Sequence, residues 1–388
     1  MINKTPYFGD AYFEEGNMWY FDNSIFALCR MNLMTRKVDI LAAYIGERTF
    51  GGSRIFAYKD VLFITAYNSS NVLKYTKIEN KLDELKNVHE SFLPESHYNF
   101  YDFQMRVDEK IWCFSKYHTK PVYYFDMHTE QFYQDDILNK YISKYIEKGE
   151  IARLYANGHE DCYWSAIYNT NIFIKYNLKD RSIKEFKISD TNIHLNAICF
   201  DGKKIWLTRS DNGDIICAKQ SGEIVNVFKG ISNGVGNEFS KIINTRDNIV
   251  VLPRLGDILL LIDKKDMKMC KINLKESGLE SATSRSGYAK IINCFELEGQ
   301  LLFPPWGLNS LFSISRLGGD LKKIDISYLE SELWDLMLNR EKCLYESQDI
   351  NLECLIKYNL LSGNKADTNK CIIGKKIYDC IFEMINKK

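Results

Sequence analysis

Two short stretches and one pair of distant residues could bind an ion or carry out acid–base chemistry. Asp211-Asn212-Gly213-Asp214 places two carboxylates around a glycine, as a small ion- or phosphate-binding loop would. His159-Glu160-Asp161-Cys162 gathers four residue types that can coordinate a metal. Glu238 and His194 could supply an acid and a base if the fold brought them together. Each reading therefore depends on the elements that hold these residues.

More specific motifs for catalysis or metal binding do not occur. The chain has no Gly-x-Ser-x-Gly elbow, no Gly-Lys-Ser/Thr phosphate loop and no His-Glu-x-x-His pair. The carboxylate spacing in 211–214 does not match a calcium loop. Both 159–162 and 211–214 directly precede apolar runs, and this position predicts turns that open strands. We therefore expect no metal and no cofactor.

A repeated apolar segment organises most of the chain. Its copies include "MWYFDN", "IWCFSK" and "IWLTRS", which are rich in the aromatic and β-branched residues that favour strands. Neighbouring copies are 43 to 52 residues apart. The second residues of the seven copies are Trp19, Leu62, Trp112, Tyr163, Trp206, Val250 and Leu302.

A second marker follows each of these segments in nearly the same phase. It is a short polar turn, and an Asp or Asn at its start can hydrogen-bond the backbone two residues further on. Gly, Asn or Asp would then accept the positive φ of the turn. With the apolar runs on either side, each unit contains about four strands. The seven turns are 32–38, 76–82, 126–132, 177–183, 219–224, 263–269 and 315–321.

These repeats predict an all-β fold, a seven-bladed β-propeller over residues 8–326, with six or eight blades possible. Asp201-Gly202 followed by Ile205-Trp206-Leu207, and more weakly Asp108 to Trp112, resemble a blade signature of bacterial β-propellers. Propellers of two-component regulators and Kelch- or quinoprotein-like propellers carry such signatures. The resemblance implies the fold and not an activity. The chain lacks regular Gly-Gly pairs and Trp-Asp endings, so we assign no specific family.

In a propeller, the loops from the second to the third strand and from blade to blade share one face. Ligands usually bind there, because loops of all blades converge. The candidates at this face combine aromatic, basic and amide side chains, which suit recognition of a polar or anionic ligand. The candidate ligand-binding residues are Arg48, Tyr67, Lys116, Tyr117, His194, Asn196, Arg209, Asn237, Glu238, Arg254 and Trp306.

Residues 327–388 have a different pattern, which predicts a small helical C-terminal segment. Ile373, Ile377, Ile381 and Ile385 recur every four residues, as on one face of a helix. The polar stretch 362–370 separates this helix from the preceding apolar pattern. The segment could pack on the side or bottom of the propeller, or could dock a helix of a partner protein.

Composition restricts the cellular setting and the partners. Lys and Arg number 51 and Asp and Glu number 51, so the chain carries no cationic excess that would favour nucleic acid. We find no signal-peptide pattern and no stretch of about 18 apolar residues that could span a membrane. The 11 cysteines include no Cys-x-x-Cys pair and mostly lie in apolar runs. We therefore expect a cytoplasmic protein with buried free thiols.

The leading hypothesis is a binding scaffold that recognises a peptide, a partner protein or a polar small molecule at this face. The alternative is a propeller enzyme, a lyase or hydrolase that acts on a carbohydrate or a related polar substrate. A third possibility is a structural adaptor that docks through its C-terminal segment. The lack of a catalytic motif favours binding over catalysis.

Overall fold

Seven four-stranded sheets confirm the predicted β-propeller. Within each sheet every strand pairs antiparallel with its neighbours in the chain, so each blade is one continuous segment. The computed structural model describes residues 8–23, 25–44, 52–66, 71–85, 103–114, 122–146, 156–189, 193–229, 239–253, 257–274, 291, 293–304, 311–316, 318–319, 321–324 and 326.

Blades 1 to 4 come from the N-terminal part of the chain. Their strands are β1 Ala11–Glu14, β2 Asn17–Asp22, β3 Ala27–Asn32 and β4 Val38–Ala43; β5 Gly52–Tyr58, β6 Val61–Ala66, β7 Val72–Thr76 and β8 Lys81–Leu85; β9 Phe103–Val107, β10 Lys110–Phe114, β11 Val122–Asp126 and β12 Gln131–Asp135; and β13 Ala156–His159, β14 Cys162–Ala166, β15 Ile172–Asn177 and β16 Ile183–Lys187. A single helix among the described residues, α1 Ile137–Ile146, follows β12.

Blades 5 to 7 complete the ring. Their strands are β17 Leu195–Phe200, β18 Ile205–Arg209, β19 Ile215–Ala218 and β20 Ile224–Phe228; β21 Phe239–Asn244, β22 Asn248–Pro253, β23 Ile258–Asp263 and β24 Met269–Asn273; and β25 Phe295–Leu297, β26 Gln300–Phe303, β27 Leu311–Ser315 and β28 Lys322–Ile324.

The first strand of each blade is the innermost, and the fourth lies at the periphery. The first strands β13, β17 and β21 lie side by side, as the walls of a central channel must. Second strands such as β14 and β22 are buried along their whole length. Fourth strands such as β20 alternate partly buried and exposed residues, because only one of their edges is paired.

The hydrophobic core lies between adjacent blades and not in a single centre. Between blades 5 and 6, Trp206 and Cys199 pack with Ile249 and Leu260. Between blades 3 and 4, the rings of Phe114 and Tyr163 stack with their centroids 3.8 Å apart. Each blade therefore buries both of its faces. Because successive side chains of a strand point to opposite faces, the middle strands need apolar residues at successive positions.

The turns between third and fourth strands form as the sequence predicted. The Oδ1 atom of Asn32 accepts hydrogen bonds from the backbone N–H groups of Met34 and Thr35, at 3.1 and 2.9 Å. Asp126 and Asp263 make the same pair of bonds in blades 3 and 6. The expected residue at the positive φ is wrong in most copies. Other residue types stand there in blades 1, 3, 4 and 6, namely Arg36, Glu130, Arg181 and Met267, whereas Asn80, Gly222 and Gly318 in blades 2, 5 and 7 are of the expected types.

The Asp-Gly signature of blade 5 has a direct structural role. Asp201 accepts a hydrogen bond from the indole Nε1 of Trp206 at 2.7 Å, and its other oxygen accepts two backbone N–H groups of its own turn. Gly202 adopts a φ of 95°, which favours glycine. In blade 3 the aspartate is one residue closer to its tryptophan, and the indole N–H of Trp112 has no hydrogen-bond partner.

Helix α1 was not predicted. Leu138, Ile142 and Tyr145 recur at helical spacing and fill the wedge between blades 3 and 4. Asp135 caps the helix by accepting the backbone N–H of Ile137 at 2.9 Å. Among the described residues, no helix has the length and apolarity to cross a membrane.

The chain divides into two compact units, Met1–Trp334 and Asp335–Lys388. All described blades belong to the first unit. The predicted helical segment, 327–388, lies outside the described residues, and its boundary stays a prediction. Six of the cysteines in the described residues are buried free thiols, as expected, and Cys270 is exposed.

Candidate functional site

The propeller has two faces that close the strands in different ways. The hairpins between first and second strands and between third and fourth strands form one end of the propeller. We call this end the turn face. We call rim face the opposite end, formed by the connections between second and third strands and between blades. The predicted ligand-binding residues that the structure describes lie on the rim face, which also contains a group of polar side chains at the channel mouth.

These side chains lie at the start of the innermost strands, or directly before them, in six of the seven blades. They occupy corresponding positions in their blades. Those with a described side-chain contact make it with a neighbouring blade. We call this group the mouth belt. Its members are Asp10, Arg54, Gln104, Asn196, Lys241 and Asn293.

The belt joins the first blade to its neighbours on both sides. The Oδ2 atom of Asp10 lies 3.2 Å from Nε of Arg54 in blade 2. On the other side, Nδ2 of Asn293 in blade 7 donates to the carbonyl oxygen of Gly9 at 3.1 Å and lies 3.4 Å from Oδ1 of Asp10. Since no strand is exchanged between blades 1 and 7 in the described sheets, these contacts and the Phe13–Phe295 ring contact at 5.6 Å close the ring.

Further belt bonds continue around the mouth. Lys241 in blade 6 donates to Oδ1 of Asn293 at 3.4 Å. Asn196 in blade 5 donates to the carbonyl oxygen of Phe239 in blade 6 at 2.7 Å. Such bonds satisfy backbone carbonyls at the unpaired edges of the inner strands. The Oδ1 atom of Asn196 is fully buried and has no hydrogen-bond partner.

Blades 2 and 3 are joined by the remaining belt residues. The guanidinium of Arg54 donates to the backbone carbonyl of Gln104 and lies over the Phe103 ring, 5.2 Å from its centroid. The Gln104 side chain donates to the carbonyl oxygen of Ala66 at 3.0 Å and accepts from the hydroxyl of Thr65. Arg54 is therefore held in one orientation by a carboxylate, a carbonyl and an aromatic ring.

The described belt residues include one carboxylate, that of Asp10, and it is largely buried. Burial raises the pKa of Asp10, although Arg54 and Lys241 attract its charged form. The Asp10 side chain is only 18% exposed. Two cations face one carboxylate among the described belt residues.

Less polar side chains follow the belt residues along the same inner strands. Tyr12, Phe56, Ile243 and Phe295 each follow a belt residue by two positions, so they lie on the same face of their strands. All four are partly buried. Tyr12 packs against the core between blades 1 and 2, Phe56 against that between blades 2 and 3, and Ile243 against that between blades 6 and 7.

A second polar group lies further out on the rim, in blade 5. Nδ1 of His194 donates to the carbonyl oxygen of Asn169 in blade 4 at 3.1 Å, which leaves Nε2 of a neutral ring as an acceptor. Arg209 holds Asp211 with a bidentate contact, in which Nε lies 2.8 Å from Oδ1. The hydrogen bonds from Arg209 lower the pKa of Asp211. We call His194, Arg209 and Asp211 the rim cluster.

Both loops singled out as ion sites are turns, as expected. In 211–214 the two carboxylates diverge: Asp211 contacts Arg209, and Asp214 contacts Lys229 at 3.4 Å. In 159–162, the chain turns between β13 and β14. No group of three potential metal ligands occurs among the described residues.

The structure describes three of the predicted ligand-binding residues. His194 and Arg209 lie together at the rim, and the backbone N–H of Ser210 donates to the carbonyl oxygen of His194 at 2.8 Å. Asn196 lies deeper and belongs to the mouth belt. The others lie outside the described residues: Arg48, Tyr67, Lys116, Tyr117, Asn237, Glu238, Arg254 and Trp306. They stay predictions.

Five belt residues were missed because the search at the rim considered mainly loops. Asp10, Arg54, Gln104, Lys241 and Asn293 adjoin or open the apolar runs of the first strands. The sequence signal that could have revealed these residues is a polar residue near the start of the first strand in successive repeats. Its chemical type changes from blade to blade, so the recurrence is visible only after the strands are aligned.

Comparison with known proteins shows similarity in fold only. No protein-family profile and no curated protein sequence matches the chain. A structure of YCF48 bound to D1 peptide has a TM-score of 0.54 and 9% identity, and the match covers 80% of this chain and 91% of that chain. A computationally designed protein has a TM-score of 0.52 and 9% identity, with 83% and 88% covered.

The extracellular domain of a putative hybrid two-component system, BT4673 from B. thetaiotaomicron, is similar to the same extent. Its TM-score is 0.51 at 13% identity, and the match covers 83% of this chain and 42% of that longer chain. These identities are too low to transfer a function or a site residue. The comparisons and the seven sheets together establish that this chain is a seven-bladed β-propeller of no assigned family.

Proposed function

We propose that this protein is a recognition module that binds a peptide or another extended polar ligand across the channel mouth on its rim face. One observation carries the proposal: six inner strands bring charged and amide side chains to this one end of the channel. A site assembled from several blades offers many placed polar groups at one point, as recognition sites on rigid scaffolds do. The rim cluster would extend such a site outwards over blade 5.

The charges of the turn face support this choice of face. There, basic side chains pair with acidic side chains of the preceding blade, as Lys77 does with Glu14 and Arg316 with Asp247 at 2.6 Å. Lys179 of blade 4 lies 3.7 Å from Asp108 of blade 3 and 2.9 Å from Asp161 of its own blade. These groups neutralise one another across blades.

The similarity to YCF48 supports the proposal at the level of the fold. The structure compared is that of YCF48 bound to D1 peptide, so a propeller of this size can present a peptide-binding surface. No residue of this chain is assigned a role through that similarity. Peptide binding here rests on the chemistry of the mouth belt and the rim cluster.

An enzymatic function has one observation in its favour. The carboxyl of Asp10 has a pKa raised by burial and lies beside a fixed arginine, which is an arrangement also found in general acids. Both oxygens of Asp10 already accept hydrogen bonds or an ion pair within the belt. We therefore favour a role in closing the ring for Asp10 and binding as the function.

Capture of synthetic peptides by the full chain tests the proposal. A degenerate mixture of octapeptides is passed over immobilised protein, and mass spectrometry identifies what is retained. We expect His194→Ala combined with Arg209→Ala to reduce retention about tenfold, because two recognition contacts are lost. Lys179→Ala combined with Lys265→Ala removes two cations of the turn face and serves as the matched control.

Two results would overturn the proposal. The wild-type protein could retain no peptide above a blank surface, or the rim and turn-face double variants could lose retention equally. Circular dichroism melts of each variant accompany the capture. A rim variant that melts like the wild-type protein and retains less peptide supports a binding role for the rim cluster.

A further inference from the structure

On the turn face, the seam between blades 5 and 6 departs from the charge pairing of other seams. At three described seams, a basic side chain in the second hairpin of one blade contacts an acidic side chain in the first hairpin of the preceding blade. Opposite charges therefore meet across these seams. The pairs are Lys77 with Glu14, Lys179 with Asp108, and Arg316 with Asp247.

The seam between blades 5 and 6 brings two basic loops together instead. The first hairpin of blade 5 turns at 201–204, and the second hairpin of blade 6 turns at 264–268. The Nζ atom of Lys204 lies 3.9 Å from Sδ of Met267, so the two loops are in contact. We call the five lysines of these loops the lysine seam; they are Lys203, Lys204, Lys264, Lys265 and Lys268.

The ammonium groups of the lysine seam contact uncharged groups. Lys204 contacts the thioether of Met267, which is a weak acceptor without charge. The Nζ atom of Lys264 donates to Oδ1 of Asn244 at 3.0 Å and to the carbonyl oxygen of Thr245 at 2.6 Å. In the part of the chain that the structure describes, none of the five lysines forms an ion pair. Their charges are therefore not neutralised by direct contact with a carboxylate.

Most aspartates in and beside the two loops are bound within their own turns. Asp201 accepts the indole N–H of Trp206 and two backbone N–H groups. Asp263 accepts the backbone N–H groups of Lys265 and Asp266, at 2.8 and 2.7 Å. The third aspartate, Asp266, is exposed. With five lysines and three aspartates, these loops carry an excess of positive charge.

The lysine seam opposes the packing of blades 5 and 6, because like charges repel each other across it. The other seams show that an acidic side chain is compatible with the first hairpin. Local conflicts of this kind are expected mainly at functional sites, where a ligand supplies the missing charge. Lys203, Lys265 and Lys268 are exposed, so an anionic ligand can reach them from solvent. A ligand that bridged both loops would remove the repulsion.

The residue types of the two loops indicate the chemistry of such a ligand. Lysine carries a compact charge on a flexible stem, so several lysines can each meet a separate acidic group. Neither loop contains an aromatic side chain on which a nucleic-acid base could stack, or an arginine fork that would hold a phosphate. A chain with several carboxylates fits these loops better than a nucleic acid does.

We infer that the lysine seam binds an acidic segment of a partner protein, in which several Asp or Glu side chains contact both loops. This inference goes beyond the proposed function, because it concerns the opposite face of the propeller and a ligand of different chemistry. Both faces could be occupied at once. The protein would then join the ligand of its rim face to the partner on its turn face.

Fluorescence anisotropy of a labelled octaglutamate peptide with the full chain tests the inference. We expect binding at low salt that weakens as the ionic strength rises. Lys203→Gln combined with Lys265→Gln should weaken binding about fivefold, because two exposed ion pairs with the peptide are lost. Lys140→Gln combined with Lys184→Gln is the matched control. It removes two exposed lysines of α1 and β16, away from the seam, and should bind octaglutamate like the wild-type protein.

Lys203→Glu gives this seam the charge pattern of the other seams. The melting temperature should rise, because opposite charges then meet across blades 5 and 6. The affinity for octaglutamate should fall further than in Lys203→Gln, since the new carboxylate repels the peptide. Circular dichroism melts and anisotropy titrations measure the two effects. A melting temperature no higher than that of the wild-type protein would overturn the view that the lysine seam opposes packing.

Three results would overturn the inference about the partner. The wild-type protein could fail to bind octaglutamate at low salt, or the seam and control variants could lose affinity equally. A single-stranded oligonucleotide or a phosphatidylglycerol vesicle could bind more tightly than octaglutamate through the same lysines, which would assign the seam to nucleic acid or to a membrane surface. The double variant of His194 and Arg209 should bind octaglutamate like the wild-type protein, so failure of the rim proposal is seen separately.

Discussion

The 28 described strands are connected in different ways at the turn face and at the rim face. On the turn face, five blades join their first two strands by a pair of residues such as Glu15-Gly16, and Asp or Asn opens most of the other hairpins. On the rim face the connections differ in length from blade to blade, and one carries a helix. The first strand is bulged at its rim end in blades 2, 5 and 6.

The difference shows which end of the molecule is free to vary. The turn face repeats one solution, because each hairpin must only reverse the chain and pair with the blade before it. The mouth belt uses a different residue in almost every blade, yet each stands at the same end of the channel. Bulges and irregular connections are common where a scaffold re-aims side chains for a ligand. The rim connections outside the belt are therefore where specificity can vary without loss of the contacts that close the ring.

The largest expected effect tests whether the turn face consists only of surface hairpins. A Cβ on Gly222, which has a φ of 92°, would lie 1.9 Å from the carbonyl oxygen of Lys187 at the end of blade 4. Gly222→Ala should lower the free energy of unfolding by about 2–4 kcal/mol, because backbone and not a side chain must move. Urea denaturation measures the change.

Gly16→Ala is the matched control. Gly16 has a φ of 72°, and a Cβ there would meet nothing within 4 Å beyond its neighbours in the chain, so only the strain of the positive φ applies. The expected loss is about 1 kcal/mol. Equal losses in the two variants would mean that the hairpin of Gly222 does not press against blade 4, and the turn face would then be a set of independent hairpins.

The second expected effect compares the two faces within one blade. Asn293→Ala removes the belt bonds to Gly9, Asp10 and Lys241 and leaves buried polar groups unpaired. The free energy of unfolding should fall by about 2–3 kcal/mol. Arg316→Ala breaks the ion pair to Asp247 on the turn face, where both side chains are well exposed. It should cost less than about 1 kcal/mol.

Thermal melts of the two variants decide between the faces. A loss at Arg316 as large as that at Asn293 would contradict the view that the belt closes the ring. Limited proteolysis offers an independent readout, because an opened seam between blades 1 and 7 should expose cleavage sites in the first and last blades.

Sequence repeats predicted the blades but not the belt, and the reason is physical. Second strands are buried on both faces, so they must be apolar and recur visibly, as Trp112 and Trp206 do. A belt residue needs only to be polar and to reach a neighbouring blade. Asp10, Gln104 and Asn293 all satisfy this requirement, although they are three different residue types. Burial constrains residue type strongly, and hydrogen bonding to a backbone carbonyl constrains it weakly.

Local turn chemistry was predicted only in part for a related reason. Asp or Asn opens the turn in blades 1, 3, 4 and 6, because its side chain can make both backbone bonds. The positive φ is not selective enough to require Asn or Gly: Arg36 and Met267 adopt it at φ values of 58° and 56°. Helix α1 was overlooked because its apolar positions lie between strands of similar length and composition.

The third expected effect asks whether a rim connection also stabilises the ring. Partial burial opposes ionisation of Glu185 in blade 4, but hydrogen bonds from two tyrosines and a lysine of α1 outweigh it and lower the pKa of Glu185 to about 2. The ordinary value is 4.5. The stabilisation by this carboxylate is therefore present above about pH 4.5 and is lost as the pH falls towards 2.

Glu185→Gln isolates this contribution from the other acidic groups. The variant should be less stable than the wild-type protein at pH 7, and the difference in melting temperature should shrink between pH 4.5 and 2. A difference that stays constant over this range would mean that the charge of Glu185 does not hold α1. The connection would then be a passive filler of the wedge between blades 3 and 4.

The smallest expected effect sharpens the account of the turn face. Arg36 is exposed and has a φ of 58°, while blade 2 has Asn80 at the corresponding place with a φ of 51°. Asn tolerates this conformation better than other residues that have a Cβ. Arg36→Asn should therefore raise the free energy of unfolding by about 0.5 kcal/mol. Lys37→Asn, one position later and without a positive φ, should give no gain. A higher free energy of unfolding in both variants would mean that removal of the positive charge is the cause. A higher value in Arg36→Asn alone would show that the hairpin of blade 1 stores backbone strain that Asn relieves.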